Sequence, residues 1–498
     1  MCIYACMLFF FIKEEQYNEG KSHMAAPFIV ISLFFSFVIQ FISQSFSEQV
    51  KHSSLVIGLR RSPAPKISPF MAKKQSEPLN MMEPLREVRD GYLISLTLGT
   101  PPQVIQAYLD TGSDLTWVPW GNVSFDCIDC DQYYRAHRLT GAFSPLYSSS
   151  SARVPCISSF CTEIHSSDNF YDPCTMAGCS LRALLMGTCS RPCPSFAYTY
   201  GEGGVAVGIL TKDTLRIHGT SSNIIKEIPK FRFGCVGSTH REPIGIAGFG
   251  RGLLSLPSQL GFIEMGFSYC FLPFKFASNP NISSPLIIGD LAISSSQDSF
   301  QFTPLQRNPT YPNYYYIFLE AINVENSSTN EAPMNLREFD AKGNGGMVID
   351  SGTTYTHLPD PLYSELLFEL ESVITYPRAI DQERETGFGL CYEIPCLNDT
   401  CNDDDDLLPS ITFLFSSNSS LILPKEKHFY AIGVPSNSCV VKCLLYQRMD
   451  DGDSGPAAVF GSFQQQNVEV VYDFQQERIG FKPMDCASAA ASYGLNKI

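Results

Sequence analysis

The chain of 498 residues carries 50 Asp and Glu against 35 Lys and Arg, a formal charge of −15 at pH 7. That balance excludes a nucleic-acid binder, which needs a basic face to neutralise phosphates. With 44% hydrophobic and 17% charged residues, 35 Gly and 33 Pro, this is a packed, turn-rich globular chain with room for two or three domains, neither disordered nor a coiled coil.

Phe28 to Ile42 is almost unbroken apolar sequence, followed by the small-residue pattern Ser43-Gln44-Ser45. Its length predicts the core of a signal peptide, the region being residues 1–47, and no permanent membrane span; a signal anchor is the alternative. Met24 lies just before this run and is an alternative start, which would remove Cys2 and Cys6. Sixteen of the 18 cysteines remain downstream, an even number suited to disulfides in an oxidising compartment. The tail 487–498 carries no apolar run, so a lipid anchor is not expected.

Residues 48–80 hold Lys51, Arg60, Arg61, Lys66, Lys73 and Lys74 against Glu48 and Glu77. One reading is a basic prosegment (48–82) that docks on the acidic body near neutral pH and releases when carboxylates protonate. The other is a flexible Pro- and Ser-rich spacer.

From Gly91 onward the pattern is all-β. Tyr92–Leu98 is a strand stopped by Gly99-Thr100-Pro101-Pro102, and short apolar runs bounded by Gly, Pro, Asn and Ser recur throughout. Residues 361–372 form the best helical stretch. A repeat organises the rest: Ala107-Tyr108-Leu109-Asp110-Thr111-Gly112-Ser113 is echoed 240 residues later by Met347-Val348-Ile349-Asp350-Ser351-Gly352-Thr353. Each copy is followed by an apolar-apolar-Gly triplet, Ile246-Ala247-Gly248 and Val459-Phe460-Gly461. Two related β lobes, 83–300 and 301–486, account for the length and the pairing.

Each repeat delivers an Asp from a buried strand into a tight turn, and Gly112 or Gly352 lets that turn approach its twin. The neighbouring hydroxyls donate hydrogen bonds that fix the carboxylate. Two carboxylates close enough to share one proton have their pKa values driven apart, as in the pepsin dyad. One takes a proton from water while the other donates to a carbonyl, which is general acid–base hydrolysis without a covalent intermediate. The pair titrates as a unit, so neither Asp is assigned as base or acid.

These features resemble the pepsin-type aspartic endopeptidases, and within them the plant nepenthesin-like group. The resemblance runs from about Gly91 to Cys486. It rests on G-T-P-P-Q at 99–103, D-T-G-S-D-L-T-W-V at 110–118, G-F-G-R-G-L-L-S-L-P-S-Q-L at 248–260, D-S-G-T-T at 350–354 and F-G-S-F-Q-Q-Q-N-V-E-V-V-Y-D at 460–473. It implies a bilobal pepsin-like fold with a cleft between the lobes, Asp110 and Asp350 at its floor, polypeptide substrates, no cofactor or metal, and a monomer. It further implies that Ser113 and Thr353 brace the outer carboxylate oxygens, and that Thr111 and Ser351 tie the loops together. The flap maps onto residues 198–203, with Tyr200 closing over substrate, Gly201 in its turn, and Trp117 as the partner of Tyr200.

There are departures. Glu202 sits at the flap tip, Gly204-Val205 replaces a hydroxyl-rich turn, and Pro119-Trp120 replaces a cysteine-containing stretch. Cys127, Cys130, Cys156, Cys161, Cys174, Cys179, Cys189 and Cys193 resemble the cysteine-rich insertion of the nepenthesin-like group, with no connectivity assigned. Cys127 and Cys130 are also spaced like half a zinc site, for which an exported chain makes disulfides the better reading. Gly452-Asp453-Ser454-Gly455-Pro456 imitates a serine-protease turn but lacks the histidine context. The run Asp403–Asp406 lacks calcium-loop spacing and reads as a solvated loop. Sequons at Asn122, Asn281, Asn326, Asn398 and Asn418 fit a glycosylated protein of the secretory pathway, bound for the cell exterior or the vacuole. The rival reading is a catalytically weak or inactive binding or inhibitor protein on the same scaffold. The intact dyad with its hydroxyl neighbours argues against it.

Overall fold

The computed structural model describes residues 54–61 and 91–495 apart from 122–123, 131–140, 167–171, 202, 220–224, 262–264, 277–278, 280, 295–298, 326–329, 396–406, 433–438 and 450–453. The signal region, most of the basic leader, Glu202, Asn122, Asn326, Asn398 and Asp403–Asp406 therefore lie outside the described residues. The described residues form one compact unit.

The repeat read from the sequence is a repeat of topology. The strand Gln103–Asp110 runs parallel to Gly245–Gly248, with Asp110 opposite Gly248. Gly245–Gly248 in turn pairs antiparallel with Trp117–Pro119, where Ile246 faces Trp117. In the second lobe Met347–Ile349 runs parallel to Ala458–Phe460, with Ile349 opposite Phe460. Ala458–Phe460 then pairs antiparallel with Thr356–Leu358, where His357 faces Val459. Trp117 and His357 each lie seven residues past their Asp, so the two lobes share one register. Val, Ile, Leu and Tyr fill these central strands because both faces are covered, and the strand ending at Ile349 is buried at every position.

A 15-stranded sheet joins the halves. Gly266–Cys270 pairs with Val468–Asp473, and Val468–Asp473 with Arg478–Pro483, so strands far apart in sequence lie side by side. Phe267, Tyr269, Tyr315 and Tyr472 pack their rings over this seam. Leu55–Arg61 enters the same sheet, pairing with Ser284–Ile288 and then, through Arg60 and Arg61, with Leu93 and Tyr92. Leu55, Ile57 and Leu59 alternate inward and are buried. The described part of the basic leader is thus held by main-chain pairing and apolar side chains, where the sequence offered either electrostatic docking or a flexible spacer.

Among the described residues helix is scarce, as the pattern predicts. The longest helix among the described residues, Leu362–Val373, covers the stretch read as helical and buries Leu362, Tyr363, Leu366 and Leu370 on one stripe.

Candidate active site

The two aspartate turns interlock through hydroxyls. Thr111 N–H donates to Ser351 Oγ at 3.0 Å, and Ser351 N–H donates to Thr111 Oγ1 at 2.9 Å. Each hydroxyl then donates across the pseudo-dyad to the carbonyl before the opposite Asp: Thr111 to Ile349 at 3.1 Å and Ser351 to Leu109 at 2.8 Å. All four bonds are buried, where competition from water is weak and a lost partner is costly.

Each carboxylate is held in the same way. Gly112 N–H reaches Asp110 Oδ1 at 2.9 Å and Gly352 N–H reaches Asp350 Oδ1 at 2.7 Å. Ser113 Oγ donates to Asp110 Oδ2, and Thr353 Oγ1 to Asp350 Oδ2 at 2.6 Å. The glycines make room for the opposite carboxylate: a Cβ on Gly112 would lie 2.6 Å from Asp350 Cγ, and one on Gly352 would lie 2.2 Å from Asp110 Oδ1. Asp110, Thr111, Gly112, Ser113, Asp350, Ser351, Gly352 and Thr353 are therefore brought together as the repeat implies. Asp110 is 5% exposed.

The hairpin Phe196–Thr199 and Val205–His218 carries the flap turn. Tyr200 N–H bonds Gly204 O at 2.8 Å and Gly203 N–H returns to Tyr200 O at 3.0 Å, closing the turn. The buried Trp117 Nε1–H donates to Tyr200 Oη at 2.7 Å, the partnership the resemblance implies. Gly201 is exposed, with open space where a side chain would project. Burial, then the Glu242 carboxylate beneath the flap, pushes the Tyr200 phenol well above its ordinary value, so it stays protonated.

Three residues not singled out from the sequence support the site. Asp114 follows Ser113, is 5% exposed and accepts from Gly252 N–H at 2.7 Å. Burial pushes its carboxyl up to about 7 against that hydrogen bond, with a smaller upward push from Glu163. Tyr198 Oη accepts from Asp114 N–H at 3.3 Å. Gln465 Nε2–H donates to Phe460 O at 2.8 Å and to Asp350 O at 3.2 Å, bracing the second turn from behind. The only signals were the fifth residue of D-T-G-S-D and the middle Gln of the Q-Q-Q run.

The cysteines of the insertion pair as Cys127–Cys130, Cys156–Cys174, Cys161–Cys193 and Cys179–Cys189. Cys270–Cys486 and Cys391–Cys443 complete the described disulfides. Cys235 and Cys439 carry free thiols. Asn281 and Asn418 are both exposed. No helix among the described residues is long and apolar enough to cross a membrane.

Paired aspartate turns at the junction of two related β lobes define a pepsin-like protein. The Xylanase inhibitor N-terminal family model matches residues 92–290 and the Xylanase inhibitor C-terminal model residues 314–483. A protein of Arabidopsis thaliana named as a probable aspartyl protease is 35% identical over 435 residues, covering 80% of this chain and 82% of the relative. Aspartic proteinase nepenthesin-1 of Nepenthes gracilis is 32% identical over 406 residues, covering 80% and 79%. The crystal structure of edgp superposes with a TM-score of 0.59 at 19% identity, over 90% of this chain and 98% of that one. Basic 7S globulin from soybean follows at 0.57 and 18%, over 87% and 97%. The chain belongs to the plant pepsin-type aspartic protease family.

Proposed function

We propose that this chain is an aspartic endopeptidase that hydrolyses peptide bonds at acid pH through a water held between Asp110 and Asp350. The observation that carries the reading is the symmetric support of both carboxylates, each with one glycine N–H and one hydroxyl. One carboxylate removes a proton from the water as its oxygen adds to the scissile carbonyl, while the protonated partner donates to the carbonyl oxygen. The tetrahedral gem-diol collapses as the leaving nitrogen takes the proton from one carboxyl and a gem-diol hydroxyl returns its proton to the other carboxylate, so the carbonyl re-forms, the C–N bond breaks and the dyad again holds one proton. Tyr200, fixed by Trp117, would close the flap over the substrate.

The reading extends to an exported glycoprotein, outside the cell or in the vacuole, made as a zymogen whose basic leader is removed in acid. Six disulfides among the described residues favour an oxidising compartment. The second reading, a binding or inhibitor protein, draws on the Xylanase inhibitor description of both matching family models. The assay that separates them uses protein expressed from Met24, acidified and incubated with a denatured protein substrate at about pH 3–5, the range in which such dyads hold one proton. Cleavage that disappears in Asp110→Asn and with pepstatin is expected. A folded, trimmed and inert protein would move the function to the second reading, and an intact leader on a fully active form would sink the zymogen.

A further inference from the structure

The two aspartate turns differ in what holds the main chain of the aspartate itself. In the first lobe the residue after the downstream glycine does so: Phe249 N–H donates to Asp110 O at 2.7 Å, and Gly250 N–H then donates to Ser113 O at 2.9 Å. In the second lobe the residue after the glycine, Ser462, donates past the aspartate to Thr353 O at 2.8 Å. The Asp350 carbonyl is reached instead by a side chain, Gln465 Nε2–H, at 3.2 Å, and the same amide donates to Phe460 O at 2.8 Å. Phe460 O also accepts Asp350 N–H at 3.1 Å. The Gln465 amide therefore spans the ends of the two strands that carry the second turn, Met347–Ile349 and Ala458–Phe460.

Proton counting fixes how Gln465 is held. Its Nε2 spends both hydrogens on the two carbonyls, so its Oε1 accepts, and Tyr269 Oη donates to it. With its one hydrogen used in this way, Tyr269 Oη accepts from Tyr472 Oη at 2.9 Å. All three side chains are buried, where water competes little for these bonds. Tyr269 lies on Gly266–Cys270 and Tyr472 on Val468–Asp473, paired strands of the sheet that joins the lobes. That sheet thus aims one glutamine at the main chain of Asp350. The turns pack closely enough that a Cβ on Gly112 would meet Asp350 Cγ at 2.6 Å, so a shift of the Asp350 main chain passes directly to the carboxylate pair.

We propose that Gln465, oriented by Tyr269 and Tyr472, is a positioning residue that holds Asp350 against Asp110 for proton sharing. The inference rests on the endopeptidase reading and adds to it the group that keeps the second carboxylate in place.

The test is steady-state kinetics of the chain expressed from Met24 on a denatured protein substrate, across about pH 2–7. Gln465→Met fills similar space without the amide. It is expected to lower kcat about tenfold or more with KM within about twofold of native, because the amide acts through Asp350 and not on substrate. The pH profile reads the geometry itself. Carboxylates that share a proton less closely titrate closer together, so the bell of kcat/KM should narrow from both sides. Tyr269→Phe keeps the glutamine but releases its orientation, and should narrow the bell in the same sense by less; it carries the test if Gln465→Met does not fold. The phenols facing Asp350, those of Tyr269, Tyr314 and Tyr472, are pushed up by burial and stay protonated throughout, and the Asp114 carboxyl titrates at about 7. Leu366→Ala, a core truncation on the helix Leu362–Val373, should lower stability and leave the width of the bell unchanged. Native kcat with a native bell in Gln465→Met overturns the proposal. A lowered kcat with an unchanged bell also overturns it, since the amide is then structural only. Both results leave the endopeptidase reading standing, whereas a folded native chain without activity overturns the two together.

Discussion

Glycine at 112 and 352 is a steric requirement of the opposite carboxylate. A methyl group at 352 would fall 2.2 Å from Asp110 Oδ1, so one turn must move. Gly352→Ala is expected to lower kcat at least a hundredfold and to cost about 1–3 kcal/mol of stability, read from steady-state rates and denaturant unfolding. Asp114 makes a different prediction. Its folded pKa of about 7 lies above the ordinary 3.8, so folding takes up a proton. That stabilisation is complete below about pH 4 and is lost as pH rises through 7, at most about 4 kcal/mol from this group. Unfolding at pH 4 and pH 8 should therefore show a marked loss for the native chain and a much smaller one for Asp114→Asn. The amide oxygen of that variant still accepts from Gly252. Equal losses would show that Asp114 is not the group responsible.

The flap is an element tied to the lobe beneath it by cross-element bonds. Trp117 lies on a central strand and Tyr200 on the hairpin, and their 2.7 Å bond joins the two. Tyr200→Phe leaves a buried indole N–H unpaired and should cost about 1–2 kcal/mol. It is expected to reduce kcat/KM at least tenfold against a denatured protein, whereas an unchanged rate would remove Tyr200 from the substrate site. The helix Leu362–Val373 was legible because its apolar residues recur at helical spacing. Leu366→Ala, at 0% exposure on the core stripe, should lose about 2–5 kcal/mol in thermal or urea unfolding without changing KM.

At the scale of the molecule, long-range closure dominates. Cys270–Cys486 spans 216 residues and ties the shared sheet to the C-terminal helix. Chain-entropy reasoning assigns such a link about 4–5 kcal/mol, more than the short loops of the insertion. Replacing both cysteines by alanine should lower the melting temperature more than replacing Cys179 and Cys189, whose loop spans 10 residues. The opposite order would mean that the insertion, not the closure, limits stability. The leader strand Leu55–Arg61 belongs to the same scale, since it completes a sheet whose other strands come from both lobes.

The sequence by itself determined the two turns and how each is held. A carboxylate, a glycine N–H and a hydroxyl within four residues can meet only when the chain turns tightly, and Asp110–Ser113 and Asp350–Thr353 carry that information locally. The duplicated lobe was legible for the same reason, because an apolar approach and a downstream glycine recur in order. Only the tertiary structure decided which cysteines pair and that Gly112 abuts Asp350 across 238 residues. It alone turned the fifth residue of D-T-G-S-D into a buried acid with a raised pKa. These outcomes depend on burial and on contacts between distant segments, which strand periodicity and turn chemistry do not encode.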